Sequence, residues 1–320
     1  MERDAKANAG EEFGMASRDG TNETGTESEA RIGAAIPPQG ARARDGGSDG
    51  GAPHADGNPW TEEQRDGLRL ACDTLGTLFL REPCDPQCVP VIRALAELDC
   101  DAAAEQWPFV GDAGSDAVGH ARESLERLAR GARDEAVARD EEVPPAGDGA
   151  GDGGEQAHHA RLTPLLESYR RLMEGPGRLQ APPWGSVYTD RDGVTFGLST
   201  LALHAWMRAH GIAMDVGERV PEDHIGLMLG QASMLCQKRP ELLDQFLGEH
   251  LLTWSHHYLD KLSRAASARA GGARSGQGGD DRAEHEADAF YQGLADLTDL
   301  TLEGVRARRG IEVSYPRFYR

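Results

Sequence analysis

From Trp60 onward, apolar side chains recur at intervals of three and four residues, and no stretch alternates convincingly with a period of two. That spacing collects apolar groups on one face of a helix and gives a sheet no face to bury. Leu68, Ala71, Cys72, Leu75, Leu78 and Phe79 form the first such face, behind Thr61 and Gln64, which are spaced as a capping box. Val91, Leu95 and Leu98 mark a second helix, and Val118, Ala121, Leu125 and Leu128 a third. Thr163-Pro164 opens a fourth, whose face is Leu165, Leu166, Tyr169, Leu172 and Met173 and which stops at Gly175-Pro176-Gly177. Further helices are expected over Ser199 to His210, from Pro221, from Pro240 with a break near Thr253, and through Phe290, Leu294, Leu297 and Thr301. The expected fold class is all-α, a single globular bundle of about nine or ten helices.

Three stretches stand outside this pattern. Residues 1–58 hold 11 glycines, and only Phe13, Ile32 and Ile36 from the larger aliphatic and aromatic types. Residues 140–160 hold Val143 alone of that kind, and residues 264–286 hold none. Such segments cannot bury enough surface to offset the entropy of ordering, so all three are expected to be disordered. The remainder, 59–320 with its two insertions, is expected to be one domain. The whole chain carries −20. A field of that sign repels phosphate, which argues against nucleic-acid binding and against an anionic membrane surface. The start of the chain has no basic segment followed by an apolar one, and no window is apolar enough to span a bilayer. The expected location is the cytoplasm, without stable membrane insertion.

Three segments together carry a resemblance. They are Tyr169-Arg-Arg-Leu-Met-Glu-Gly-Pro176 followed by Pro182-Pro-Trp-Gly-Ser-Val-Tyr-Thr-Asp190, then Phe196-Gly-Leu-Ser-Thr-Leu-Ala-Leu203 with Trp206-Met207-Arg208, then Pro221-Glu-Asp-His-Ile-Gly226. His250-Leu-Leu-Thr-Trp-Ser255, Tyr258-Leu-Asp260 and Phe290-Tyr291 fit the same pattern. The chain resembles the TorD/DmsD family of cytoplasmic chaperones, its DmsD branch most closely, from about residue 60 to the end and most strongly over 163–262. The resemblance implies an all-helical protein that is not an enzyme. It implies binding to the twin-arginine signal peptide of a dimethyl-sulfoxide-reductase-type catalytic subunit, holding that molybdopterin oxidoreductase back until its cofactor is inserted. Translocase components are further implied partners, and the chaperone itself is expected as a monomer or homodimer with no cofactor. Val220 stands where the DmsD branch usually has an acidic residue, and Gly177 where it often has tryptophan.

The chemistry of the motif residues suits that ligand. A leader offers two guanidinium groups and then an apolar segment, so its receptor needs carboxylates beside an apolar groove. Glu222, Asp223 and His224 are expected just inside a helix N-terminus, where Asp223 either caps that helix or anchors the peptide. Trp184, in the loop Pro182, Pro183, Gly185, Ser186, is either a buried plug or one wall of the groove. Tyr188 and Tyr169 extend the same argument. Leu172 and Met173 belong to the core or to the groove floor. Gly197 marks a backbone requirement at a helix start.

A rival reading is a metal-binding helical enzyme or redox protein. Cys72, Cys84, Cys88 and Cys100 could supply thiolates, although Cys-x3-Cys is not the usual knuckle spacing. His204, His210, His224, His250, His256 and His257 could be ligands, but none of them stands in a His-Glu-x-x-His or Glu-x-x-His pattern. No GxxxxGK[ST] or GxGxxG motif stands after a strand, and no Gly-x-Ser-x-Gly elbow supports a hydrolase.

Overall fold

In the computed structural model the described residues are 59–140, 163–175, 177–193, 195–212, 221–270 and 279–320. They form eleven α-helices. In chain order these are α1 Glu62–Leu80, α2 Val89–Ala96, α3 Cys100–Gln106, α4 Ala117–Asp140, α5 Pro164–Tyr169, α6 Ser186–Thr189, α7 Leu198–Ala209, α8 Ile225–Lys238, α9 Leu243–Phe246, α10 Ser255–Ala270 and α11 Gly279–Arg309. The expected termini hold at both capped starts. The Thr61 hydroxyl accepts from the Gln64 N–H while Gln64 answers to the Thr61 N–H, and Thr163 caps α5 through the Leu166 N–H. α5 runs on into a π turn over Arg170–Glu174 and stops at Gly175, whose φ of 92° favours glycine.

Long helix α11 packs on α4 and α10, while α1 packs on α8, and α2 and α3 lie against α4. The core is continuous, with Leu68, Phe79, Leu125, Leu166, Phe246, Tyr258 and Leu294 all fully buried. The α1–α8 contact positions the motif region. A Cβ on Gly226 would stand 2.9 Å from the Gly76 carbonyl oxygen, so the two backbones touch where α8 begins.

Two sequence expectations change. Pro221 does not open a helix. It begins a turn, and α8 starts only at Ile225 with His224 as its N-cap. The stretch 264–286 is helical at both of its ends. α10 continues to Ala270 and α11 begins at Gly279. Ala265 and Ala266 are buried, and helix propagation through alanine from an already packed turn costs little. The rest of that stretch, residues 1–58, most of 140–160, Pro176 and Val220 lie outside the described residues.

Candidate functional site

The two motifs about forty residues apart in sequence are joined in space. Trp184 and His224 form an isolated antiparallel bridge. The Gly185 N–H donates to the Asp223 carbonyl at 3.1 Å, and the Ile225 N–H donates to the Pro183 carbonyl at 2.9 Å. Asp223 adds a side-chain bond: its Oδ2 accepts the Ser186 N–H at 2.6 Å. The capping carboxylate of this turn therefore serves the short helix α6 on the other loop, and not its own helix as expected. His224 takes that second role, its Nδ1 accepting the Gly226 N–H at 3.1 Å.

Around this link the loop is built tightly. Pro182 and Pro183 are buried, and the Pro182 carbonyl accepts the Tyr188 hydroxyl at 2.7 Å. Tyr188 is fully buried, and burial pushes its phenol up. Its ring stacks on Trp254 at 6.2 Å and 11°. Gly185 admits that tryptophan, because a Cβ there would stand 2.7 Å from the Trp254 ring. Gly197 is the N-cap of α7 with an extended backbone, φ −79° and ψ −165°. Its requirement is therefore space and not conformation: the Asp190 carboxylate lies where a Cβ would be.

Trp184 is half-buried, with its ring 5.8 Å from that of His224 and edge-on to it. Among the described residues its Nε1 has no hydrogen-bond partner, and neither have Glu222 Oε2, Asp223 Oδ1 and Ser186 Oγ. The other Glu222 oxygen meets His204 Nε2 at 2.5 Å, tying the turn to α7. His204, Trp254 and Asp190 are site residues that the motif reading did not single out. Trp254 and Asp190 lie within segments that carry the resemblance, but neither was assigned a part in the site.

Three candidates fall elsewhere. Tyr169, Leu172 and Met173 are buried in the hydrophobic core of the bundle. The Tyr169 hydroxyl donates to the Phe79 carbonyl at 3.4 Å, and Met173 accepts from Tyr258 at 3.6 Å. A stripe at helical spacing is a packing face first, and here it remains one. Of the thiols raised for the metal reading, Cys72 and Cys88 are buried, and burial pushes both up, Cys88 to about 12. Among the described residues no group of three or more His, Cys, Asp or Glu side chains is placed to hold a metal ion. Nor is any helix among them long and apolar enough to cross a membrane.

His224 has a measurable signature. Burial lowers its pKa from 6.5 to about 4. Between those values the unfolded chain binds a proton that the folded chain does not, so stability is complete above pH 6.5 and falls as pH drops toward 4. Between pH 7 and pH 5 this one residue accounts for about 2 kcal/mol. Denaturant titrations of wild type and His224→Asn at both values check this. The variant, which keeps a polar capping side chain, is expected to lose about 2 kcal/mol less than wild type on acidification.

The model of the family described as the nitrate reductase delta subunit matches residues 118–260. The Probable Tat proofreading chaperone DmsD of Haemophilus influenzae is 40% identical over 171 residues, covering 51% of this chain and 74% of that protein. The chain belongs to the TorD/DmsD family. A second family member, the Tat proofreading chaperone DmsD of Salmonella typhi, is 31% identical over 258 residues, 80% of this chain and 98% of its own. These TorD/DmsD relatives are named as chaperones and not as enzymes. The 40% match and the family model both concern roughly half of this chain, whereas the Salmonella match spans most of it.

Proposed function

We propose that this chain is a Tat proofreading chaperone. It binds the twin-arginine signal peptide of a dimethyl-sulfoxide-reductase-type molybdoenzyme subunit, and it does so where the Pro182–Tyr188 loop meets the Pro221–His224 turn. The carrying observation is a pair of carboxylate oxygens, Glu222 Oε2 and Asp223 Oδ1, on adjacent residues of that turn, neither of which has a hydrogen-bond partner among the described residues. A carboxylate oxygen can only accept, and a buried one left without a donor is costly. Guanidinium groups are the donors that match it best, and a twin-arginine leader brings two. Half-buried Trp184 beside them offers a rigid apolar wall for the segment that follows. The net charge of −20 speeds encounter with such a basic peptide. Holding the precursor in the cytoplasm until its cofactor is in place is the role this reading assigns.

The test is calorimetric titration with a twin-arginine leader from a reductase encoded beside this chain. The expected result is binding at about micromolar strength or tighter, lost when the apolar segment is scrambled and weakened when both arginines become lysine, since lysine cannot fork onto a carboxylate. No binding to the native leader would leave the fold without this function.

A further inference from the structure

α11 stops at Gly310, with φ 63°, and the Ile311 N–H donates back to the Arg306 carbonyl at 3.0 Å. The chain then runs on without regular secondary structure to Arg320. Its first part is anchored. Ile311 is buried, its Cγ2 standing 2.9 Å from where a Cβ on Gly248 would lie, and Val313 packs on the core. Beyond Ser314 the contacts change character. The Phe318 ring stacks on His257 at 4.3 Å and 4°. The Tyr319 N–H donates to the Tyr188 carbonyl at 3.0 Å, His257 Nε2 meets the Arg320 carbonyl at 2.6 Å, and Arg320 Nη2 donates to the Leu179 carbonyl at 2.5 Å. Tyr315 and Tyr319 remain exposed, and Arg317 lies over the Tyr319 ring.

Residues 317–320 are thus an irregular Arg-Phe-Tyr-Arg peptide laid across Tyr188 and His257. Backbone hydrogen bonds and one stacked ring hold them, and another peptide carrying an aromatic and an arginine could make the same contacts. Tyr188 belongs to the same loop whose Gly185 and Ser186 are bonded to Asp223. Elements held by few buried contacts open at low free energy.

We propose that residues 315–320 are a built-in competitor. They cover the extension of the leader cleft over Tyr188 and His257, and a bound signal peptide displaces them. The inference rests on the leader-binding reading above, because the strap and the leader share one chemistry, arginine beside apolar groups. Exposed Ser314 lies between anchored Val313 and the displaceable residues, so the strap can leave while Ile311 stays packed.

Two variants test it: full-length Phe318→Ala/Arg320→Ala, and a chain shortened after Ser314. Both are titrated with the twin-arginine leader, and the shortened chain is also titrated with a synthetic Tyr-Pro-Arg-Phe-Tyr-Arg peptide. With the strap gone the competent fraction rises, so both variants are expected to bind the leader about five-fold tighter or more. The hexapeptide is expected to bind the shortened chain and to cancel that gain at saturation. Equal leader affinity in wild type and variants would overturn the competitor role alone. A leader that binds none of the three would overturn the leader reading and this inference together. Loss of helical circular dichroism in the full-length double variant would make the strap a structural brace and end the proposal.

Discussion

Asp223→Asn is expected to leave the fold standing and to weaken leader binding ten-fold or more. The side chain has two jobs, one on each oxygen. Oδ2 accepts the buried Ser186 N–H at 2.6 Å, and Oδ1 has no partner among the described residues. Asparagine keeps an acceptor for Ser186 but brings no charge to a guanidinium. A hydrogen bond to a charged group contributes about 1.5–3 kcal/mol, which is about ten- to a hundred-fold in affinity. Asp223→Ala is expected to behave differently. It strands the Ser186 N–H in a buried site, at about 1–3 kcal/mol, and for a domain of this size the melting temperature falls by several degrees. Calorimetry and thermal melts on the two variants separate the jobs. If asparagine melts as low as alanine, the charge is holding α6 in place and Asp223 is a positioning residue only. If asparagine binds the leader as wild type does, no guanidinium reaches Oδ1.

The difference between what was legible in the sequence and what was not follows from the range of the forces involved. Helices announce themselves locally. The Thr61 capping box, the Thr163 cap and the glycine stop at Gly175 all act within one turn of their own backbone, and the structure places them as the spacing predicts. The site is made by contacts that have no period. Asp223 follows a proline and precedes an apolar run, which reads as the start of its own helix, yet its carboxyl reaches across 37 residues to Ser186. Nothing local to Pro221 distinguishes a turn that opens a helix from a turn pinned to another loop. Likewise Tyr169, Leu172 and Met173 sit in a motif segment, but their helical spacing was the stronger signal and they are core. The association of the Pro-Pro-Trp-Gly-Ser and Glu-Asp-His segments was legible only through resemblance. The geometry supplies its reason, since each segment satisfies the other's backbone.

Gly185→Ala should damage the site through a single methyl group, and a second substitution should repair part of it. The added Cβ would stand 2.7 Å from both Cε2 and Nε1 of Trp254, closer than such contacts occur. The indole cannot retreat. It is buried, stacked on Tyr188, and its ring lies 5.8 Å from that of Tyr258. The loop must therefore move, and the bonds at risk are the two that join it to Asp223. Overpacking of this kind costs about 1–3 kcal/mol, and leader binding is expected to fall with it because both walls of the cleft hang on that link. Trp254→Leu alone removes packing and leaves a cavity, at about 2–4 kcal/mol. Combined with Gly185→Ala it also removes the clash, so the double variant is expected to lie about 1–2 kcal/mol above the sum of the singles, with part of the leader affinity restored. Denaturant unfolding of the four proteins measures that coupling. Strict additivity would mean that the close approach of Trp254 to Gly185 does not hold the loop.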